Sequence, residues 1–208
     1  SLDSMYKFAG VTTIVATKYF DTKDMRTLYE LGYANFGENR VQNLLSKKQE
    51  LSGLDIKWHL IGPLQTNKVK QIINEIDYLH TLDRISLAES IQKYANNPLN
   101  CFIQVNLTKE EQKNGILLEN LDDFINEIRK YDKINVIGLM AMGKLDDDIM
   151  TDHVFAKLNE LKQKYHLTAT SMGMSHDYKI ALKHGANFLR IGSAFKEIIK
   201  EHENGIIR

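Results

Sequence analysis

The stretch VTTIVATKYFDTKDMRTLYELG (residues 11–32) joins an apolar, β-branched run to a helical pattern that stops before Gly32. The run Val11–Ala16 predicts a fully buried strand, and the spacing of apolar residues in 22–31 predicts a helix. The same strand-then-helix order recurs along the chain. Further predicted strands cover residues 34–37, 57–61, 78–82, 101–107, 134–141, 168–172 and 188–191. This strict alternation predicts parallel βαβ units.

Parallel strands in this number form either an open doubly wound sheet or a closed (β/α)8 barrel, the TIM barrel. At roughly 25 residues per unit, closure is more economical because an open sheet leaves two edges exposed. We therefore expect an α/β fold in which residues 1–208 form a single-domain TIM barrel. We expect no second substantial domain.

The composition excludes several classes of function. The 27 Lys and Arg residues balance 27 Asp and Glu residues, which argues against nucleic-acid binding because such binding needs a basic surface. No apolar run approaches the roughly 18 residues of a membrane helix. The single cysteine, Cys101, fits a reducing compartment, and the histidines lack metal-ligand spacing. We therefore expect a cytoplasmic protein with no metal site and no membrane or nucleic-acid partner.

Lys18 follows the first apolar strand, at the end of the barrel where such folds carry their active sites. Desolvation at the mouth of a dry strand would penalise the ammonium, and a neutral amine can attack a carbonyl to form a Schiff base. A lysine that merely extends its ammonium from the barrel end into solvent explains the position equally well.

Two neighbouring loops have features that suit a phosphate. RIGSAFKE (190–197) places Gly192 and Ser193 at a helix start, where free amides and a hydroxyl bind anions. SMGMS (171–175) supplies further hydroxyls in the preceding loop. These are the loops where barrels most often hold phosphate, although such glycines and serines also serve as turn and cap residues. Arg190, within the last strand, needs a ligand acceptor or a structural carboxylate as its partner.

Several long segments carry a resemblance to a known family. They are FGENRVQ (36–42), WHLIGPLQTNKVK (58–70), HTLDR (80–84), GLMAM (138–142), SMGMSHDYKIALKHGA (171–186) and RIGSAF (190–195). In this order they resemble the YggS/PROSC-type pyridoxal phosphate homeostasis proteins. The resemblance implies a fold-type III barrel, like that of alanine racemase, which binds pyridoxal 5′-phosphate (PLP). That family usually has a full helix before its first strand, so the short segment before Val11 predicts an abbreviated N-terminal helix.

The resemblance also implies a function and a site. Lys18 would hold PLP as a Schiff base, and the protein would act in intracellular PLP (vitamin B6) homeostasis without established catalysis. Arg190 would face the pyridine nitrogen, and Asn39 and His59 would line the pocket. The rest of the implied cofactor-binding set is the phosphate residues Ser171, Ser175, Gly192 and Ser193, together with Met172. The implied partners are PLP and the PLP-requiring apoenzymes that receive it, with the chain a monomer or weak homodimer.

Three other functions compete with this interpretation. A PLP-dependent amino-acid racemase needs a second acid/base opposite Lys18, which a second domain brings in racemases of this fold. A Schiff-base aldolase would use Lys18 and the phosphate loops on a sugar phosphate. A scaffold without a ligand leaves the coincidence of Lys18, the serine-rich loop and Arg190 unexplained. Arg190 favours a carrier, because an arginine does not readily protonate the pyridine nitrogen and PLP is then a weaker electron sink.

Overall fold

The computed structural model describes residues 3–110 and 114–206, and within them a parallel β-barrel closes on itself. Its strands are β1 (Thr12–Ala16), β2 (Asn35–Glu38), β3 (Lys57–Leu60), β4 (Tyr78–Leu82), β5 (Leu99–Asn106), β6 (Ile116–Leu117), β7 (Ile134–Met140), β8 (Ala169–Ser171) and β9 (Phe188–Ile191). The two-residue β6 pairs with the end of β5 outside the ring, and the other strands form the barrel. Pairing of β1 with β9 and of β4 with β5 closes it. The predicted TIM barrel is confirmed, and the open-sheet alternative is wrong because no barrel strand described here is left at an edge.

Each barrel strand leads to a helix on the outside of the barrel. The helices are α1 (Asp3–Tyr6), α2 (Thr22–Glu30), α3 (Val41–Glu50), α4 (Val69–Ile72), α5 (Ile85–Tyr94), α6 (Leu118–Ile128), α7 (Asp148–Lys164), α8 (Tyr178–Lys183) and α9 (Phe195–Glu203). Short 3-10 helices occupy Thr17–Tyr19 and Thr66–Lys68. The helix before β1, α1, has four residues.

Side-chain caps set where two of these helices begin. The Asp21 carboxylate accepts a hydrogen bond from the Asp24 N–H at 2.8 Å and starts α2. The Asp147 carboxylate accepts one from the Met150 N–H at 2.9 Å and starts α7. An acceptor at this position satisfies one of the free amides of the first turn, and its charge complements the helix dipole.

The helix after β3 is shorter than its apolar pattern predicts. Val69, Ile72, Ile73 and Ile76 repeat at helical spacing and all four are buried, yet α4 ends at Ile72. The chain turns at 73–75 because β4 begins two residues after Ile76, and the Asn74 side chain is tied to the end of α5. Its amide bridges the Tyr94 carbonyl and the Asn96 N–H. The periodicity therefore identified the buried face but overestimated the length of the helix.

The barrel wall separates an outer apolar layer from a smaller inner cluster. The single tryptophan, Trp58, lies in the outer layer, with its ring edge-on to Phe36 at a centroid distance of 6.1 Å. The inner cluster contains Phe102 of β5, whose ring is 5.1 Å from that of Phe188 on β9. Because β5 and β9 are not neighbours in the sheet, this contact crosses the barrel interior. The buried polar residues His59, His80, Ser171 and Arg190 also lie inside the barrel.

Candidate functional site

A cavity of about 120 Å³ opens at the carboxyl ends of the barrel strands. Its lining residues are Ala16, Lys18, Tyr19, Asn39, Ile61, Met142, Met174, Ser175, His176, Arg190, Gly192 and Ser193. Of the residues predicted to bind a cofactor, the structure brings together at this cavity Lys18, Asn39, Ser175, Arg190, Gly192 and Ser193. It places the other three, His59, Ser171 and Met172, outside the lining.

Lys18 lies just past the end of β1, in the 3-10 helix Thr17–Tyr19. The residue is exposed, so the desolvation expected from the sequence is absent: Lys18 lies beyond the apolar strand and not within its mouth. Its Nζ lies 5.0 Å from the centroid of the Tyr19 ring, and Lys196 Nζ lies 4.6 Å from the same ring. In the described part of the chain Lys18 makes this cation–π contact and no ion pair or hydrogen bond. Its amine is therefore available to a ligand.

The turn that carries Lys18 rests on three buried or half-buried polar residues, which we name the Thr17–Glu38–Lys47 cluster. Lys47 Nζ lies 2.8 Å from Glu38 Oε2 and donates to the Thr17 carbonyl oxygen, also at 2.8 Å. The Thr17 hydroxyl donates to the same carboxylate oxygen. The other oxygen, Glu38 Oε1, is buried and has no hydrogen-bond partner among the described residues. A buried ion pair therefore fixes the backbone immediately before Lys18.

Ser175 and the loop after β9 form a polar wall of the cavity. The Ser175 Oγ accepts hydrogen bonds from the Gly192 N–H at 3.1 Å and from the Ala194 N–H at 3.2 Å. An oxygen that accepts two such bonds directs its own hydrogen elsewhere, so the hydroxyl is offered to an acceptor in the cavity. Glycine lets the loop approach β1 closely, because a Cβ on residue 192 would lie 2.9 Å from Tyr19 Cε2 and 3.3 Å from the Ala16 carbonyl oxygen, and these neighbours would have to shift.

The electrostatics of this wall favour an anion. Ser193 is exposed just before α9, and its N–H has no acceptor within residues 3–110 and 114–206. The amino-terminal end of a helix carries a partial positive charge. Lys18 and Arg190 line the same cavity, and none of its described lining residues is acidic. A phosphate is a ligand of matching charge.

Arg190 lies inside the barrel at the floor of the cavity and is 3% exposed. Its guanidinium donates to the Ser171 hydroxyl, to the Ala141 carbonyl oxygen at 3.3 Å and to Met142 Sδ at 3.2 Å. Burial lowers the pKa of Arg190 to about 10, partly offset by the nearby charge of Asp177, so the side chain stays charged at neutral pH. The alternative of a structural carboxylate partner is not found in the described residues, which make no ion pair with Arg190.

The cofactor-binding roles of three residues stay predictions, and the structure places these residues outside the lining of the cavity. The Ser171 hydroxyl does not face the cavity, because it bonds to His80 and Arg190 inside the barrel. His59 is fully buried between Asn35 and His80, since strand alternation points it into the barrel below the floor of the cavity. Met172 packs in the outer apolar layer. These residues support the site from behind and do not line it.

Neither His80 nor Lys47 was predicted from the sequence to belong to the site, and the pairing of Lys47 with Glu38 was not predicted. A signal for His80 was present, because it is a polar residue within a predicted buried strand, as His59 is in the preceding one. Two histidines facing one barrel interior are close enough to bond. Glu38 and Lys47 gave no comparable signal, since their pairing depends on how α3 lies beside the end of β2.

Two features are absent from the described residues. No group of three or more His, Cys, Asp or Glu residues there could hold a metal ion. None of the helices described is long and apolar enough to cross a membrane.

Comparison with known proteins identifies the family. The alanine racemase N-terminal domain family matches residues 20–196. The pyridoxal phosphate homeostasis protein of Aquifex aeolicus is 39% identical over 188 residues, which cover 86% of this chain and 82% of that protein. The chain belongs to the pyridoxal phosphate homeostasis protein family. This confirms the resemblance found in the sequence, and the family's counterpart in Pseudomonas aeruginosa is 33% identical over 192 residues, 89% of this chain and 84% of that protein.

Solved structures agree with this assignment. PipY of Synechococcus elongatus, determined with PLP bound, superposes on this member of the pyridoxal phosphate homeostasis protein family with a TM-score of 0.84 and 29% identity. The match covers 93% of this chain and 98% of PipY. Alanine racemase from Corynebacterium glutamicum has the same fold, with a TM-score of 0.71 at 12% identity, and the match covers 90% of this chain but 55% of the racemase chain.

Proposed function

We propose that this protein binds PLP in the cavity and acts in PLP homeostasis. The observation that carries the proposal is that one cavity brings together the Lys18 amine, the Ser175 hydroxyl and the Arg190 guanidinium. These groups match the three polar ends of PLP, namely its aldehyde, its phosphate and its ring nitrogen. The PLP bound to PipY and the names of the relatives support the same ligand.

Lys18 is the proposed anchor. Its amine would condense with the PLP aldehyde to a Schiff base with loss of one water molecule, and hydrolysis of that bond would release the aldehyde unchanged. The amine is exposed and unpaired in the described structure, so neither step requires a hydrogen bond or ion pair to break. The Thr17–Glu38–Lys47 cluster would hold the turn in place through both steps.

The phosphate would lie against the loop after β9. Ser175 offers its hydroxyl hydrogen, and Ser193 offers an N–H and a hydroxyl. Gly192 gives the loop its close approach to β1, and the amino-terminal end of α9 adds partial positive charge. Asn39, which also lines the cavity, would contact the ring or its substituents.

Arg190 makes a carrier more plausible than a broad catalyst. A charged guanidinium donates hydrogen bonds but does not readily give up a proton, so a ring nitrogen beside it stays unprotonated. An unprotonated ring withdraws electrons less strongly, and carbanions next to it are less stable. We therefore propose reversible holding of PLP, with PLP-requiring apoenzymes as its recipients.

The setting of this activity is also proposed. We infer a single domain over residues 1–208 that works in the cytoplasm as a monomer or weak homodimer. The reducing compartment is supported by the single cysteine, Cys101, which is buried and unpaired.

The near-visible absorption spectrum tests whether PLP binds, and borohydride reduction tests whether Lys18 is the residue that holds it. Purified wild-type protein is mixed with PLP, reduced with borohydride and digested, and the modified peptide is identified by mass spectrometry. We expect the label on Lys18 and none on the Lys18→Ala variant, whereas Lys23→Ala, which changes an exposed lysine on α2, should behave as wild type. Absence of an absorption band in the wild type would overturn the proposal and leave sugar phosphates as the next ligands to test.

Racemase activity is the competing function, and tyrosine placement disfavours it. The Tyr33 hydroxyl donates to the Met5 carbonyl, away from the cavity, and Tyr19 shares the turn of Lys18. Among the described residues neither tyrosine therefore lies opposite the amine. Exchange of the Cα hydrogen of L-alanine in D2O, followed by NMR, should not exceed that given by free PLP. Faster exchange together with formation of D-alanine would establish the racemase.

A further inference from the structure

Five polar side chains form a continuous hydrogen-bonded line through the barrel interior. Asn35 Oδ1 lies 2.9 Å from His59 Nε2, and His59 Nδ1 lies 2.9 Å from His80 Nε2. His80 Nδ1 lies 2.8 Å from the Ser171 Oγ, which accepts a hydrogen bond from Arg190 Nη1. The line starts near the beginning of β2 and ends at the floor of the cavity. We name Asn35, His59, His80 and Ser171 the barrel chain.

The chemistry of the two ends allows one direction of donation. The Asn35 carbonyl oxygen can only accept, so a neutral His59 donates to it from Nε2 and accepts at Nδ1. His80 then carries its hydrogen on Nε2 and donates it to His59 Nδ1. His80 Nδ1 then accepts the Ser171 hydroxyl hydrogen while the Ser171 oxygen accepts from Arg190, so the direction of the chain is set by the Asn35 oxygen.

Both histidines are neutral in this arrangement, and their surroundings favour that state. His59 stacks on Tyr78 at a centroid distance of 4.3 Å, and His80 stacks on Phe102 at 4.4 Å. Burial lowers the pKa of His59 to about 3, and burial, His59 and the charge of Arg190 hold the pKa of His80 well below its usual value. A proton added to His59 Nδ1 would face the hydrogen on His80 Nε2 and would have no acceptor.

The chain also compensates the charge of Arg190. This buried guanidinium has no carboxylate within ion-pair distance in the part of the chain that the structure describes. An uncompensated buried charge is costly, and oriented dipoles can offset that cost. Ser171, His80 and His59 each accept a hydrogen bond on the side nearer Arg190 and donate one on the far side. The negative end of each group's dipole therefore points toward the guanidinium.

We propose that His80, His59 and Asn35 are positioning residues that act through Ser171 to hold the Arg190 guanidinium as a fixed hydrogen-bond donor toward the cavity. The site would therefore distinguish between ligands. It accepts a ligand that presents an unprotonated hydrogen-bond acceptor to Arg190 and disfavours one that presents a hydrogen-bond donor. The effect on PLP rests on the proposed function, whereas the order of the chain itself does not.

The direction of the chain is tested on the protein without ligand. Long-range 1H–15N correlation NMR distinguishes which imidazole nitrogen carries hydrogen. We expect His59 and His80 both to carry it on Nε2 and to stay neutral from about pH 8 to pH 5, the range in which histidines usually titrate. The exposed His153 serves as an internal reference for a solvated imidazole. An Nδ1–H tautomer or a protonated ring at either position would overturn the chain.

Two substitutions at His80 separate positioning from packing. His80→Gln keeps one acceptor for Ser171 and one donor for His59, whereas His80→Phe keeps an aromatic ring and loses both. The readout on the protein without ligand is hindered rotation of the Arg190 guanidinium, seen as separate Nη resonances. We expect it in the wild type and His80→Gln and its loss in His80→Phe, with His153→Phe as the matched control. Equal restraint in all variants would overturn the proposal.

PLP binding supplies the second readout. We expect the dissociation constant of PLP to rise about tenfold to a hundredfold in His80→Phe and to stay near the wild-type value in His80→Gln. If PLP fails to bind the wild type, the proposed function fails while the NMR experiments still decide the positioning role. If His80→Phe does not fold, Ser171→Ala interrupts the chain with a smaller change and should give the same loss of restraint.

Discussion

The two cations of the cavity are supported in different ways. Lys18 stands on the Thr17–Glu38–Lys47 cluster, which contains a buried ion pair and leaves Glu38 Oε1 without a partner in the described structure. Arg190 stands on the barrel chain, which is neutral and gives every donor an acceptor. The charged cluster fixes the backbone at Thr17, whereas the neutral chain fixes the side chain of Arg190.

The two supports would fail in different ways. A buried ion pair is strong only while both partners are present, because either one alone is an uncompensated charge. A neutral hydrogen-bonded chain tolerates the loss of one member better but is broken by a proton that it cannot place. Substitutions in the charged cluster and in the barrel chain, and a change of pH, should therefore affect stability to different extents.

Lys47→Met should destabilise the fold most, because it leaves the Glu38 carboxylate buried without its ammonium. We expect a loss of about 3–5 kcal/mol in the free energy of unfolding, measured by urea denaturation. The neighbouring Lys48→Met removes an exposed contact to Glu75 and should cost at most about 1 kcal/mol. The double variant Lys47→Met/Glu38→Gln should recover much of the loss, and equal effects of the two single variants would contradict the distinction.

Acid should weaken the neutral chain. The pKa of His59 falls to about 3 on folding and that of His80 falls well below its usual value, so below about pH 6.5 the unfolded chain binds protons that the folded barrel does not. Their contribution to stability is thus complete above that pH and is lost as the pH falls. One unit below, the loss should be about 1.4 kcal/mol per histidine. His59→Gln should remove about half of what His59 and His80 together contribute to the slope of the unfolding free energy against pH. An unchanged slope would contradict the burial of His59 as a neutral imidazole.

Thr17→Val tests the hydroxyl of the charged cluster. The side chain is fully buried and donates to the Glu38 carboxylate, so its loss should cost about 1.5–3 kcal/mol in the free energy of unfolding. Thr27→Val on α2 removes a long hydrogen bond at the surface and is the matched control. Similar midpoints for the two variants in a urea titration would show that Thr17 contributes no more than a surface threonine.

Asn35→Leu removes the last acceptor of the barrel chain and should have the smallest effect. The His59 Nε2–H would lose its partner at the half-buried end of the chain, at a cost of about 1 kcal/mol by thermal or urea unfolding. The exposed Asn43→Leu on α3 controls for the change of residue type. A loss as large as that of Lys47→Met would mean that the two supports do not differ as described.

The sequence was most informative about strands and least informative about contacts between them. The strands Tyr78–Leu82 and Phe188–Ile191 begin and end at the predicted residues, although His80 and Arg190 interrupt their apolar runs. The helix after β3 was predicted as far as Ile76 but ends at Ile72, since the apolar stripe marks burial and not backbone geometry. Helix length there depends on where the next strand must start.

The site divides in the same way. Lys18 and Gly192 could be placed at the barrel mouth from chain position alone, because they follow predicted strands. The direction of Ser171 could not, since its hydroxyl is decided by His80, which is 91 residues away in sequence. The pairing of Lys47 with Glu38 is equally invisible in the sequence, because it depends on the angle at which α3 leaves β2.

The position of Trp58 gives this protein an internal optical probe. As the single tryptophan, buried on the outer side of β3 against Phe36, it should emit in the blue range characteristic of apolar surroundings and shift to the red only when the barrel opens. The next residue, His59, faces the interior beneath the cavity. A chromophore in the cavity that absorbs in the near-visible would quench this emission by energy transfer, so one fluorescence channel reports both folding and ligand loading without any label.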